Sequence, residues 1–106
     1  MKNENLIKAL QNCINHCNHC ADSCLNEDNV KHMVDCIQMD RICADVCTTL
    51  ANTLATDYKN VQGLIDYCTQ VCEDCFNTCK GHDAKHCKDC AEACRQCLEA
   101  CKQYAA

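Results

Sequence analysis

The chain has 106 residues and a formal net charge of −5, with sixteen cysteines, two glycines and no proline or tryptophan. That length supports a single domain over residues 1–106, and the charge leaves no basic stripe to bind nucleic acid. No apolar run approaches the roughly 20 residues of a membrane span, and Met1-Lys2-Asn3-Glu4-Asn5 has no apolar signal region, which predicts a cytoplasmic protein.

The first predicted helix covers residues 3–25. Cys13, Cys17, Cys20 and Cys24 follow at steps of four, three and four, and continue an apolar row begun by Leu6 and Leu10. A second row, Ile7, Ile14, Ala21 and Leu25, lies about 100° around the helix and is available to a neighbouring helix or another subunit. The polar connection Asn26-Glu27-Asp28-Asn29 supplies N-cap candidates. The second helix, residues 30–54, carries Cys36, Cys43 and Cys47, and ends before the break Thr56-Asp57-Tyr58-Lys59-Asn60. The third, residues 61–80, carries Cys68, Cys72, Cys75 and Cys79, with Gly81 as its expected C-terminal stop. The fourth starts from Asp83 as N-cap, carries Cys87, Cys90, Cys94, Cys97 and Cys101, and reaches residue 104.

Steps of three, four and seven return a side chain to one helix face. Four such stripes joined by short connections predict an all-α fold, an up-down-up-down antiparallel four-helix bundle with a cysteine-lined core. The second hairpin repeats the first. Cys13, Cys17, Cys20 and Cys24 share their spacing with Cys68, Cys72, Cys75 and Cys79, and Cys36, Cys43 and Cys47 correspond to Cys90, Cys97 and Cys101. In that register Asp40 stands where Cys94 stands, Met33 where Cys87 stands, and His32 where His86 stands. A lone buried carboxylate is costly. Asp40 is therefore either part of the metal chemistry or satisfied by Arg41, a lysine or a backbone donor.

Disulfides are the other use of dense cysteine, but they belong to exported, loop-rich chains. Cysteine as mere packing fits one or two positions, not sixteen, because the side chain is too small to fill a bundle core. Metal binding remains. Cysteines three or four apart on a helix have Cβ atoms about 5–6 Å apart. Two metal–sulfur bonds of about 2.3 Å, laid in line, span about 4.6 Å, so a pair on one helix clamps a two-coordinate ion. Soft thiolates select Cu(I). A monovalent ion also neutralises thiolates one for one, whereas four zinc ions on sixteen thiolates leave a strongly negative core. Zinc–thiolate storage is the alternative. Iron–sulfur clusters fit poorly, since their cysteines sit at loop spacings absent here.

The two ends of the bundle are expected to differ. Leu6, Leu10, Leu50, Leu54, Val61, Leu64, Ile65 and Tyr104 gather into an apolar plug. Cys24, His32, Met33, Cys79, His82, His86 and Cys87 gather into a mouth with extra ligands. His32 lies within about 40° of the Cys36 direction on an ideal helix, which makes it the stronger histidine candidate. His16 lies on the flank of the stripe and His19 points away from it. Met33 and Met39 flank the stripe, where methionine is more often core filler than ligand.

At Asp35-Cys36-Ile37-Gln38-Met39-Asp40-Arg41-Ile42-Cys43-Ala44-Asp45-Val46-Cys47 and at His86-Cys87-Lys88-Asp89-Cys90-Ala91-Glu92-Ala93-Cys94, the chain resembles the bacterial copper storage proteins of the cytosolic, signal-less kind. The resemblance covers nearly the whole chain. It implies a bundle filled with thiolate-bound Cu(I), many ions per protomer, and assembly as a tetramer. It also implies ligand pairs at Cys13/Cys17, Cys20/Cys24, Cys43/Cys47, Cys68/Cys72, Cys75/Cys79, Cys90/Cys94 and Cys97/Cys101, and leaves Cys36 and Cys87 without such a partner. High-capacity storage of Cu(I) is therefore the expected function, with copper ions as partners and copper chaperones or copper-requiring proteins as the protein partners to look for. Asp40, His32, Met33, His82 and His86 are accessory metal or uptake candidates. A thiol redox enzyme needs one singular exposed, low-pKa cysteine, and this sequence offers only repetition, so no catalysis is expected.

Overall fold

The computed structural model describes residues 1–104; residues 105 and 106, the last two of the domain expected over 1–106, lie outside it. The helices are α1 (Glu4–Leu25), α2 (Val34–Leu54), α3 (Gln62–Cys79) and α4 (Lys85–Lys102), with a 3-10 helix, Val30–Met33, leading into α2. No strand occurs among the described residues.

Helix ends depart from expectation in informative ways. α1 begins at Asn3, held at φ 65°, a left-handed conformation that asparagine tolerates better than most residues. The second predicted helix is two pieces, because Val30–Met33 winds as a 3-10 turn, with the His32 amide on the Asn29 carbonyl. Asn29 precedes that turn without a side-chain cap. Gly81 is not a left-handed stop. α3 ends at Lys80 in right-handed geometry, and the amides of Lys80, Gly81 and His82 take the carbonyls of Phe76, Thr78 and Cys79. The last carbonyls are thus satisfied without a positive φ. Asp83 is not the N-cap of α4. That place belongs to Ala84, whose extended backbone offers its carbonyl to the amides of Cys87 and Lys88.

The cross-helix sulfur contacts fix direction. Cys13 meets Cys43 while Cys20 meets Cys36, so α1 and α2 run antiparallel. Cys43 meets Cys72 and Cys47 meets Cys68, which sets α3 against α2. Cys13 meets Cys94 and Cys20 meets Cys87, which sets α4 against α1. Each helix packs on its neighbours in sequence, and α4 closes on α1. The result is the expected up-down-up-down bundle, 45 × 19 × 18 Å.

The plug forms as predicted. Leu10, Leu50 and Ile65 are essentially fully buried, with Leu6, Leu54 and Val61 close behind. Each fully buried aliphatic side chain contributes about 1.5–3 kcal/mol, so this end anchors a bundle whose remaining core is mostly sulfur. Leu64 and Tyr104 pack partly buried against it. Of the second row on α1, Ile14 is buried, Ile7 and Ala21 are half-buried, and Leu25 is 55% exposed.

Candidate metal centre

All sixteen cysteines are buried and free. Their stripes converge because helical steps of three and four put every thiol on the face each helix turns inward. Pairs four apart sit at 3.9–4.0 Å between sulfurs, as at Cys13/Cys17, Cys20/Cys24, Cys43/Cys47, Cys68/Cys72 and Cys75/Cys79. Thiols on neighbouring helices are equally close, as at Cys47/Cys72 (3.7 Å) and Cys17/Cys90 (3.8 Å). The tightest contact, 3.1 Å, joins Cys36 to Cys79.

These separations refine the linear clamp expected from spacing. Bonds of about 2.3 Å put sulfurs about 4.6 Å apart in a linear site, about 4.0 Å in a trigonal one and about 3.8 Å in a tetrahedral one. The resting thiols are therefore set closer than a linear pair needs, and sharing across helices is built in. Cys13, Cys47, Cys72 and Cys97 bring one sulfur from each helix within 4.8 Å of one another. Cys13, Cys17, Cys43 and Cys94, from α1, α2 and α4, form a second group within the same distance, and Cys17, Cys75, Cys90 and Cys94, from α1, α3 and α4, a third. Cys13, Cys17 and Cys94 each belong to two groups, so the core is one continuous net rather than separate cups.

Asp40 is fully buried inside that net. Cys90, Cys79 and Cys75 lie 3.2, 3.4 and 3.5 Å from its Oδ1, and Cys36 lies 3.8 Å from Oδ2. Neither Arg41, a lysine nor a backbone donor bonds it among the described residues, so the idea of a cation-satisfied aspartate is corrected. Arg41 stays exposed while Asp40 takes a thiol position. Burial, then the neighbouring charges of Cys90 and Cys36, push the Asp40 carboxyl up to about 9. Cys20, Asp40, Cys79 and Cys90 also group within 4.8 Å, one from each helix.

At the mouth, Cys20, Cys24, Cys87 and His86 form the outermost group. His86 Nδ1 lies 3.5 Å from both Cys20 and Cys87 and 3.9 Å from Cys24, while its Nε2 is 2.8 Å from Glu27 Oε1. Burial raises the Cys24 thiol to about 11 and raises Cys87 as well, with the charge of Cys36 adding to both. Metal uptake here must displace protons from thiols that hold them firmly.

The other histidine expectations divide. His32, the favoured candidate, is exposed and does not face the thiols. The 3-10 winding of Val30–Met33 turns each residue about 20° further than an α-helix does, so the direction projected back from Cys36 fails. His82 is buried and reaches Asp35 through Nε2 at 3.2 Å. His19 is exposed and His16 half-buried, as expected. Met33 is buried and Met39 packs partly buried against the core. Glu27 and Asp35, the acidic partners of the two mouth histidines, were not legible in the sequence. No periodicity links Glu27, in the α1–α2 connection, to His86 at the start of α4, or Asp35, at the start of α2, to His82 in the α3–α4 connection, and only the antiparallel topology brings them together.

A sequence profile of the copper storage protein family matches residues 1–106. The chain belongs to the copper storage protein family. Copper storage is the function of that family and of this chain. Its fold matches the Cu(I)-bound copper storage protein BsCsp3 with a TM-score of 0.94, at 38% identity and with 100% of each chain covered. The copper storage protein Ccsp of Streptomyces lividans, loaded with 10 copper equivalents, matches with a TM-score of 0.90, at 40% identity over 93% of this chain and 80% of that one. A further Streptomyces lividans structure, of a cytosolic copper storage protein holding five coppers, matches with a TM-score of 0.89, at 40% identity over 92% and 87%.

Proposed function

We infer that the chain stores Cu(I) as cargo on the thiolates of its bundle core, with Cys13, Cys17, Cys20, Cys24, Cys36, Cys43, Cys47, Cys68, Cys72, Cys75, Cys79, Cys87, Cys90, Cys94, Cys97 and Cys101 as the ligand set. The observation that carries this reading is the continuous net of sixteen buried free thiols in a member of the copper storage family. Soft ligands favour Cu(I), and bridging thiolates matched by monovalent ions leave a core near neutrality, which burial requires. His86 completes the outermost ligand group, and ions load through that end past Asp40. Met33 packs in the core at that end, and His82 and His32 flank the route.

The remaining expectations stand as parts of the same proposal. The whole chain is one storage domain without catalytic activity; none of its cysteines is exposed as a reactive thiol must be. It works in the cytoplasm, where sixteen thiols stay reduced, in keeping with its likeness to a protein described as cytosolic. Among the described residues no helix is long and apolar enough to cross a membrane. It assembles as a homotetramer, an arrangement favoured by the exposed apolar side chains Leu25, Val34 and Ile42 on α1 and α2, and it exchanges copper with chaperones or copper-requiring proteins.

The deciding experiment is an anaerobic titration of the reduced chain against a competing Cu(I) chelator. Uptake comparable to the thiol count is expected. The quartets spaced for tetrahedral sulfur favour zinc as the second reading. Saturation near four ions, with equal avidity for zinc, would establish it instead.

A further inference from the structure

His82 has one ring nitrogen tied down and the other bare. Its Nε2 donates to Asp35 Oδ1 at 3.2 Å, so the neutral ring keeps its lone pair on Nδ1. That Nδ1 is buried and has no hydrogen-bond partner among the described residues. A buried, unpaired ring nitrogen costs stability unless something occupies it. A carboxylate on one nitrogen with the other nitrogen free is also the arrangement that orients a metal-binding imidazole.

His32 supplies the second donor. Its ring centroid lies 5.2 Å from that of His82, at an interplanar angle of 68°. With metal–nitrogen bonds of about 2.0–2.1 Å, an imidazole centroid sits about 3.2 Å from the ion. Two such rings at a tetrahedral angle then lie about 5.2 Å apart. The two histidines share a cleft of about 210 Å³ with Glu27, Met33, Asp83 and Ala84. Nitrogen and carboxylate oxygen are the donors of a borderline divalent ion, whereas the core beside them is sulfur. The two rings come from the 3-10 turn before α2 and from the α3–α4 connection, so an ion between them ties the two hairpins together at the mouth.

We propose that His32 and His82 bind one borderline divalent cation, of the zinc(II) class, in this cleft, outside the thiol net, with Asp35 as the residue that holds the His82 ring. The site is independent of how the core stores its cargo.

Chain loaded with Cu(I) to saturation under anaerobic conditions, so that its thiols are occupied, is titrated with zinc(II) by calorimetry and with cobalt(II) by absorption. One further equivalent is expected, and cobalt should give weak d–d bands without the intense near-ultraviolet bands of thiolate ligation. His82→Ala and His32→Ala should each weaken binding at least about 10-fold, and Asp35→Asn by several-fold, with Cu(I) capacity unchanged. His19→Ala, on an exposed ring elsewhere on α1, should change nothing. If His82→Ala fails to fold, the exposed His32 carries the test alone. Absence of the extra equivalent, thiolate bands on cobalt, or binding indifferent to His32→Ala would each overturn the proposal.

Discussion

The Cys90 sulfur lies 3.2 Å from Oδ1 of Asp40, and the thiols of Cys75 and Cys79 converge on the same oxygen. A carboxyl thus sits in the middle of the thiol net with sulfur for its neighbours, and no cation among the described residues holds it ionised.

Asp40 should therefore make the copper-free chain lose stability as pH rises. Its carboxyl is moved from an ordinary value of 3.8 to about 9, chiefly by burial. Between those values the folded chain keeps a proton that the unfolded chain lacks, so unfolding releases a proton and stability falls as pH rises, by up to about 1.4 kcal/mol per unit. Asp40→Asn removes the ionisation while keeping the shape. Thermal melts of reduced, chelator-treated protein from pH 5 to 8.5 should show a flatter pH profile for the variant and a higher Tm than the native chain at pH 8. A native chain whose Tm rises through that range would contradict the assignment.

His86 and Glu27 should control the rate of copper uptake rather than its extent. Glu27 holds Nε2 at 2.8 Å and so turns Nδ1 toward Cys20, Cys24 and Cys87. His86→Ala is expected to slow Cu(I) uptake about 10-fold, and Glu27→Ala less, with saturation unchanged in both. Glu27→Gln keeps an acceptor and should load nearly as fast as the native chain. His32→Ala should leave the rate alone, since that ring does not face the thiols. Stopped-flow transfer from a coloured Cu(I) chelator measures all four. Native-rate loading by His86→Ala would place the uptake route elsewhere.

The stripes themselves were legible because steps of three and four are local properties of one helix, and every cysteine they assigned to the core is buried. What depended on contacts between helices was not. The partners of Asp40 come from α3 and α4 as well as α2, in a register that only packing sets. The doubled hairpin equated His32 with His86, yet His86 sits in the first α-helical turn of α4 and His32 in a 3-10 turn. Equal positions in a repeat then point in different directions. Gly81 and Asp83 carry helix-end signals that backbone hydrogen bonds from neighbouring residues made unnecessary.

The copper-free chain should be folded. All sixteen cysteines pack as buried, free thiols in the core, and a neutral thiol occupies a core as a small hydrophobe without a metal. Circular dichroism of the reduced, chelator-treated protein should show a strongly helical spectrum, changed little by Cu(I). A spectrum that becomes helical only on adding copper would mean that the metal nucleates the fold.

The plug and the store should be separable. Leu50 is fully buried at the end of the bundle where Leu10, Leu54 and Ile65 gather, away from the outermost thiols and His86. Leu50→Ala removes apolar contact and leaves a cavity, which costs about 2–5 kcal/mol in a packed core. None of the sixteen thiols is altered. Urea unfolding of the copper-free variant should therefore show a lower midpoint than the native chain, while the anaerobic titration reaches the same Cu(I) capacity. Because bound ions stabilise only the folded state, loading should restore much of the lost stability. If capacity falls with the midpoint, the apolar end shapes the ligand net as well as anchoring the bundle.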